Sequence, residues 1–239
     1  MSFGRTLAAL VLTPLIAGCT SMAARPTSAA NLVRFQGPEN ASPAGERYYM
    51  LVFSSQSTPK LPRYTHTWAT VVRVKDCGPN RLPEIEHQTI SWLPSALRVR
   101  TWDLRVEPGV NLDLHHSIEE MRAQRQRVAL WGPYEIRPDL YFNVLPQKAF
   151  LESGRLGYQA LDIVGEAGSN GNGTNCVHAL TDSDERFGRP LLGCGESTTE
   201  SIVKHLADHG ALIDPDRTHV WLISALGLER YPIIRHGPP

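Results

Sequence analysis

Neither sign of charge dominates this sequence: Lys and Arg together number 24, and so do Asp and Glu. A chain without net charge sets up no global field toward nucleic acid or an anionic lipid surface, so no nucleic-acid partner is expected. Long apolar runs are lacking as well. The run near the start, residues 6–17, is too short to make a lasting transmembrane helix. No internal repeat and no heptad is present, which leaves out solenoids and coiled coils. The zinc-protease arrangement H-E-x-x-H is absent. His115-His116 followed by Glu119-Glu120 puts histidine and carboxylate at i,i+4 spacing, but reads as a solvated polar face. Residues 182–185 (D-S-D-E) lack the glycine and the spacing of a calcium loop and read as a helix exit. No metal and no cofactor is expected.

What is present describes a globular chain. Apolar content of 41% with charged content of 20% argues against disorder. A length of 239 residues is one large domain, or one domain with insertions. Eighteen prolines leave room for only a few uninterrupted helices.

The beginning of the chain is a targeting segment. Arg5 supplies a positive charge before the apolar stretch, and Ile16-Ala17-Gly18-Cys19 resembles a bacterial lipobox. That resemblance implies cleavage before Cys19, a diacylglyceryl thioether on its sulfur, and a lipid-anchored protein of the cell envelope, outside the cytoplasm. An ordinary secretory signal cut near Ala23 or Ala24 would lead to the same side of the membrane. Residues 1–18 are thus read as signal, 19–46 as an Ala/Ser/Pro-rich tether, and 47–239 as the folded domain.

Within that domain, residues 48–53 (Y-Y-M-L-V-F) read as a buried strand. Residues 64–74, rich in β-branched and aromatic side chains, read as a second strand with His66, Trp68, Thr70 and Val72 on one face. A loop through Cys77, Gly78, Pro79 and Pro83 leads to a third strand over 85–93, forming a hairpin with an enlarged loop. Residues 97–106 suggest a further strand, broken by Pro108-Gly109. Asp113 is placed to cap a helix over 115–127. A strand follows at 128–131, then a helix begun by Pro138 that Pro146 should kink or end. Residues 156–164 read as a strand running into a glycine-rich stretch, 165–173. A helix starts near Ser197 or Thr198 and stops at Gly210, and residues 219–224 (H-V-W-L-I-S) read as the last strand.

The stretch with the most chemistry is T-N-C-V-H-A-L-T-D, residues 174–182. Asn175 is a plausible N-cap, which puts Cys176 at the first helical position, where the partial positive charge of a helix end favours thiolate. A thiol nucleophile needs a base, and histidine is the usual one. Among nine histidines, His66 stands out at the start of a strand, two residues after Tyr64. His178 reads as a packing or hydrogen-bonding residue beneath the sheet.

N-C-V-H-A-L (175–180) resembles the N-C-E-H-F motif of the lecithin:retinol acyltransferase-like proteins, within the circularly permuted, NlpC-type papain-like superfamily. Tyr64-x-His66-x-Trp68 resembles that family's Y-x-H-W strand. The resemblance implies an α+β fold, an antiparallel sheet packed on a cysteine-bearing helix, here with a helical insertion at about 109–152. It implies a cysteine hydrolase (amidase or peptidase) or an acyltransferase, working through a thioester on an envelope substrate that is a peptide or carries an acyl group. Cys176 would be the nucleophile and His66 the general base. Tyr64 and Asn175 would support the oxyanion or the site. The residue orienting the imidazole is matched to His87, with Ser91 in its place if the strands run longer, and Glu86 if a bulge intervenes. Val177 and Ala179 depart from the motif, as does Thr67 between His66 and Trp68. With Cys19 given to the anchor and Cys176 to catalysis, Cys77 and Cys194 remain, and a disulfide between them is permitted outside the cytoplasm. The other reading is a non-catalytic envelope protein that keeps the scaffold as a binding surface.

Overall fold

The computed structural model describes residues 45–78, 81–162, 172–190 and 193–238. Cys19 and residues 19–44 of the tether read over 19–46 lie outside the described residues, as does most of the glycine-rich stretch, and the end of that tether is already strand, since β1 starts at Glu46. The chain is α+β, as expected. In order, it runs β1 (Glu46–Gln56), β2 (Thr65–Lys75), β3 (Glu84–Ile90), β4 (Trp92–Pro94), β5 (Glu107–Asn111), α1 (Leu114–Ala123), β6 (Arg127–Ile136), α2 (Pro138–Glu152), β7 (Gly157–Tyr158), β8 (Gly173–Thr174), α3 (Cys176–Thr181), α4 (Glu196–Asp208), α5 (Trp221–Ala225) and β9 (Ile233–His236).

The main sheet has the order β3-β2-β1-β6-β9, antiparallel except where β9 runs parallel to β6. The central strands β1, β2 and β6 are buried along nearly their whole length because both faces are covered. On one side Met50, Val52, Ala69, Val71, Ala129 and Trp131 meet α2, α3 and α4. On the other, Leu51, Phe53, Trp68, Val72, Val128 and Leu130 meet Ile118 and Met121 of α1 and Leu222 and Ile223 of α5. The alternation along β2 thus assigns Thr67, Ala69 and Val71 to the first core, and His66, Trp68 and Val72 to the second.

A second, smaller sheet, β4-β5-β7-β8, sits beside the first and feeds β8 directly into α3. Its packing depends on Gly109, where an added Cβ would lie 1.9 Å from Trp92 Cζ2. Pro108-Gly109, read as a break, is therefore the middle of β5: glycine is the one residue that lets the strand cross the indole ring.

Several other expectations are corrected. The stretch 109–152, expected to be a helical insertion, is not only helical and belongs to the core of the fold. It supplies β6, which pairs with β1 from Tyr48↔Ile136 to Gln56↔Arg127, and α2, whose Leu140, Tyr141, Val144 and Leu151 are core. Residues 97–106 form no strand. Helix α2 continues through Pro146 to Glu152, since one lost backbone bond is outweighed by a buried face that also donates Gln147 Nε2 to Ala179 O. Residues 219–224 hold a helix instead of a strand. In α5 and its C-cap, Leu222, Ile223 and Leu226 are buried while Val220 and Trp221 are exposed, a helical spacing that local β propensity does not reveal.

Candidate functional site

Three local features, two side-chain caps and one backbone turn, bring the site together. Asn175 caps α3, its Oδ1 accepting from the Val177 and His178 N–H groups at 2.9 Å each. Asp162, at the end of the segment after β7, holds the cap in turn: Asn175 Nδ2 donates to its Oδ1 at 2.8 Å, and Asn175 N to its Oδ2 at 3.2 Å. Gly195, at φ +85° and ψ −163°, turns the chain into α4 in a conformation nearly restricted to glycine. That turn carries Cys194 up against the start of α3.

The result is a pair of thiols. Cys176 Sγ and Cys194 Sγ lie 3.2 Å apart. Thr67, the β2 residue that faces them, ties the second thiol in place. Its Oγ1 is 3.6 Å from Cys194 Sγ, accepts from Gly195 N at 3.1 Å and meets Thr199 Oγ1 at 3.1 Å. The two sulfurs differ in acidity. The hydrogen bond to Cys194, together with burial, pushes the Cys176 thiol well up, against the weaker pull of backbone hydrogen bonds from Thr67 and Val177. Burial also opposes ionisation of Cys194, but hydrogen bonds from Cys176, Thr67, Thr65 and the Gly195 backbone outweigh it and bring that thiol below its ordinary range. The acidic thiol of the site is therefore Cys194. The expectation that the helix end favours a thiolate on Cys176 is corrected: its hydrogen bond with Cys194 and its burial outweigh the pull of the helix end.

His178 pairs with Asp162. Its Nδ1 is 2.6 Å from Asp162 Oδ2 and its Nε2 is 2.8 Å from Pro190 O, and both side chains are buried. Both ring nitrogens thus face oxygen acceptors, and neither is turned to Cys176. The imidazole locks the start of α3 to the chain on either side of it, in keeping with a hydrogen-bonding role.

His66 is elsewhere. It is 1% exposed, lies in the second core and stacks on Trp68 with ring centroids 5.1 Å apart. Its Nε2 is 2.9 Å from Ser91 Oγ, and its Nδ1 meets no partner among the described residues. Burial alone lowers its pKa to about 3. A ring on one side of the sheet cannot take a proton from a sulfur on the other, so the Cys176–His66 pair does not assemble. The partner of His66 is Ser91, because β2 and β3 run long. His87 is opposite Val72, six residues or ~20 Å along the strand from His66. Glu86 faces Arg73 and pairs with its Nη1 at 3.3 Å. Tyr64 lies under the Arg63 guanidinium, 4.8 Å from its ring centre, and is not among the residues around the thiols. Cys77 is beyond the far end of β2, ten residues or ~33 Å from Thr67, so Cys194 has Cys176 and not Cys77 as its neighbour.

Above the thiols is a cavity of about 290 Å³. Val99, Trp102, Tyr158, Ala160, Leu161 and Val177 are among the residues of its wall, as are Asp162, Asn175, His178 and the two cysteines. Trp102 is 82% exposed, so the rim presents an indole to solvent. The polar groups of the wall are largely used within the protein: Thr65 Oγ1 donates to Pro62 O, the Asn175 amide to Asp162, and His178 is engaged at both nitrogens. Among the described residues no group of three or more His, Cys, Asp or Glu side chains is arranged to hold a metal, and no helix is long and apolar enough to cross a membrane.

Two members of this site, Asp162 and Cys194, are not expected as such from the sequence. Asp162 is an isolated carboxylate in an apolar stretch. Cys194 did carry a trace, G-C-G directly before a helix start, but its partner is set by the fold. No family model, no curated protein and no solved structure matches the chain.

Proposed function

We propose that this chain is a non-catalytic binding protein of the cell envelope, anchored through Cys19, which holds an acyl-containing ligand in the cavity above Cys176 and Cys194. The observation that carries this reading is the cavity itself: about 290 Å³, walled mainly by apolar side chains, with the Thr65, Asn175 and His178 side chains already paired inside the protein. Such a wall gains from burying hydrocarbon, roughly 25 cal/mol per Å². It has few unused donors and acceptors for a peptide backbone, whose unpaired groups would cost more than they gain. The lipobox-like Ile16-Ala17-Gly18-Cys19 supports the anchor and the envelope location. The permuted papain-like scaffold is kept as part of the proposal, supported by the packing of α3 on β2. On that scaffold Thr67 faces the cysteine and His66 does not, which favours binding over hydrolysis.

The test is displacement of anilinonaphthalene sulfonate by decanoate, with Ala160→Phe as the variant that fills the cavity. Decanoate is expected to compete in the wild type, and Ala160→Phe to weaken both probes ~10-fold or more. Equal binding in the filled variant overturns the reading. So does hydrolysis of a peptide or ester that Cys176→Ser abolishes.

A further inference from the structure

Cys176 and Cys194 come from different elements, 18 positions apart, and their sulfurs lie 3.2 Å from each other. A disulfide needs about 2.05 Å, so roughly 1 Å of approach separates contact from bond. Cys176 is at the first turn of a six-residue helix, while Cys194 sits in a loop with a glycine on each side. Gly193 and Gly195, on either side of Cys194, both occupy positive φ, and Cys194 is only partly buried. Both sulfurs also line the cavity, which gives a soluble reagent a path to them.

We infer that Cys176 and Cys194 are a disulfide-forming pair, closed by exchange with an external disulfide that enters through the cavity. The Cys194 thiolate attacks one sulfur of the reagent R–S–S–R. The S–S bond breaks, R–S⁻ leaves and takes up the proton Cys194 gave up, and a Cys194–S–S–R mixed disulfide forms. Cys176 then gives up its proton and attacks the Cys194 sulfur, expelling the second R–S⁻, which accepts that proton. Two cysteine thiols are oxidised to one disulfide, and R–S–S–R is reduced to two R–SH. The order follows from access: Cys194 is partly exposed and Cys176 is buried, and the hydrogen bonds that lower the Cys194 pKa act in the same direction. Closure removes both sulfhydryl groups from the cavity wall and clasps the starts of α3 and α4.

The experiment is peptide mapping of the full chain after incubation with glutathione disulfide. Trypsin separates Cys176, in peptide 156–186, from Cys194, in 187–204, because Pro190 protects the bond after Arg189. The expected product is these two peptides joined, with the mass lower by two hydrogen atoms. The link should persist in Cys77→Ser and vanish in Cys194→Ser, where Cys176 stays unmodified. Three results overturn the inference: no linked pair while Cys77 is glutathionylated, a glutathione adduct on Cys194 that Cys176 never displaces, or a link running to Cys77. The pair is independent of the ligand reading, since peptides can be found linked whether or not decanoate binds.

Discussion

His66→Gln is expected to remove a large share of the protein's sensitivity to mild acid. In the unfolded chain an imidazole takes up a proton near pH 6.5, whereas in the fold burial keeps the His66 ring neutral down to about 3. As pH falls below 6.5, the unfolded state therefore binds a proton that the native state does not. Stability drops by up to about 1.4 kcal/mol per pH unit until the folded value is reached. The contribution is fully present above 6.5 and amounts to a loss of ~2 kcal/mol by pH 5. Glutamine can keep the contact with Ser91 but does not titrate, so its stability should lack this slope. Urea unfolding at pH 7.5 and pH 5 measures it. His115 and His219 are also held low by burial and add slopes of their own, so the quantity to read is wild type minus variant. Equal losses in the two proteins would contradict a neutral, buried His66.

Asp162→Ala should be among the most damaging single changes in the domain. The carboxylate is 3% exposed and receives hydrogen bonds from the Asn175 side chain and backbone while pairing with His178. Removing it takes the carboxylate from the buried His178 Nδ1 and frees the cap of α3. Breaking one side of a buried pair of this kind typically costs about 3–5 kcal/mol. Asp162→Asn should lose less, since an amide can still accept from Asn175. Chemical unfolding of the two variants is the measurement, and a loss below about 1 kcal/mol for alanine would show that the network does not hold the helix.

How much of this was readable beforehand follows a physical division. The strands β1 and β2, the Asp113 cap, the Asn175 cap and the start and stop of α4 are local events, decided by side chains within a few residues, and the sequence displays them. Contacts made across the sheet are not local. Whether His66 or Thr67 faces Cys176 is a question of strand orientation, and a shift of one residue reverses the answer. Strand length decided between Ser91 and His87 in the same way. Gly109 read as a break because the indole it accommodates, Trp92, is seventeen positions away. In 219–224 the β-rich composition concealed a helix, because burial of Leu222, Ile223 and Leu226 against the second core outweighed local preference. Cys194 has no partner within reach along the sequence, and only the turn at Gly195 brings it to 3.2 Å from Cys176 Sγ.

The most direct measurement is the rate of iodoacetamide alkylation at each cysteine as a function of pH, in the wild type and in His66→Gln. Cys194 should react ahead of Cys176, and His66→Gln should leave both rates within about twofold, because the imidazole is across the sheet from both sulfurs. Rapid alkylation of Cys176 below pH 6, lost at least ~10-fold in His66→Gln, would mean that the two side chains form a working thiolate–imidazolium pair, contrary to this account.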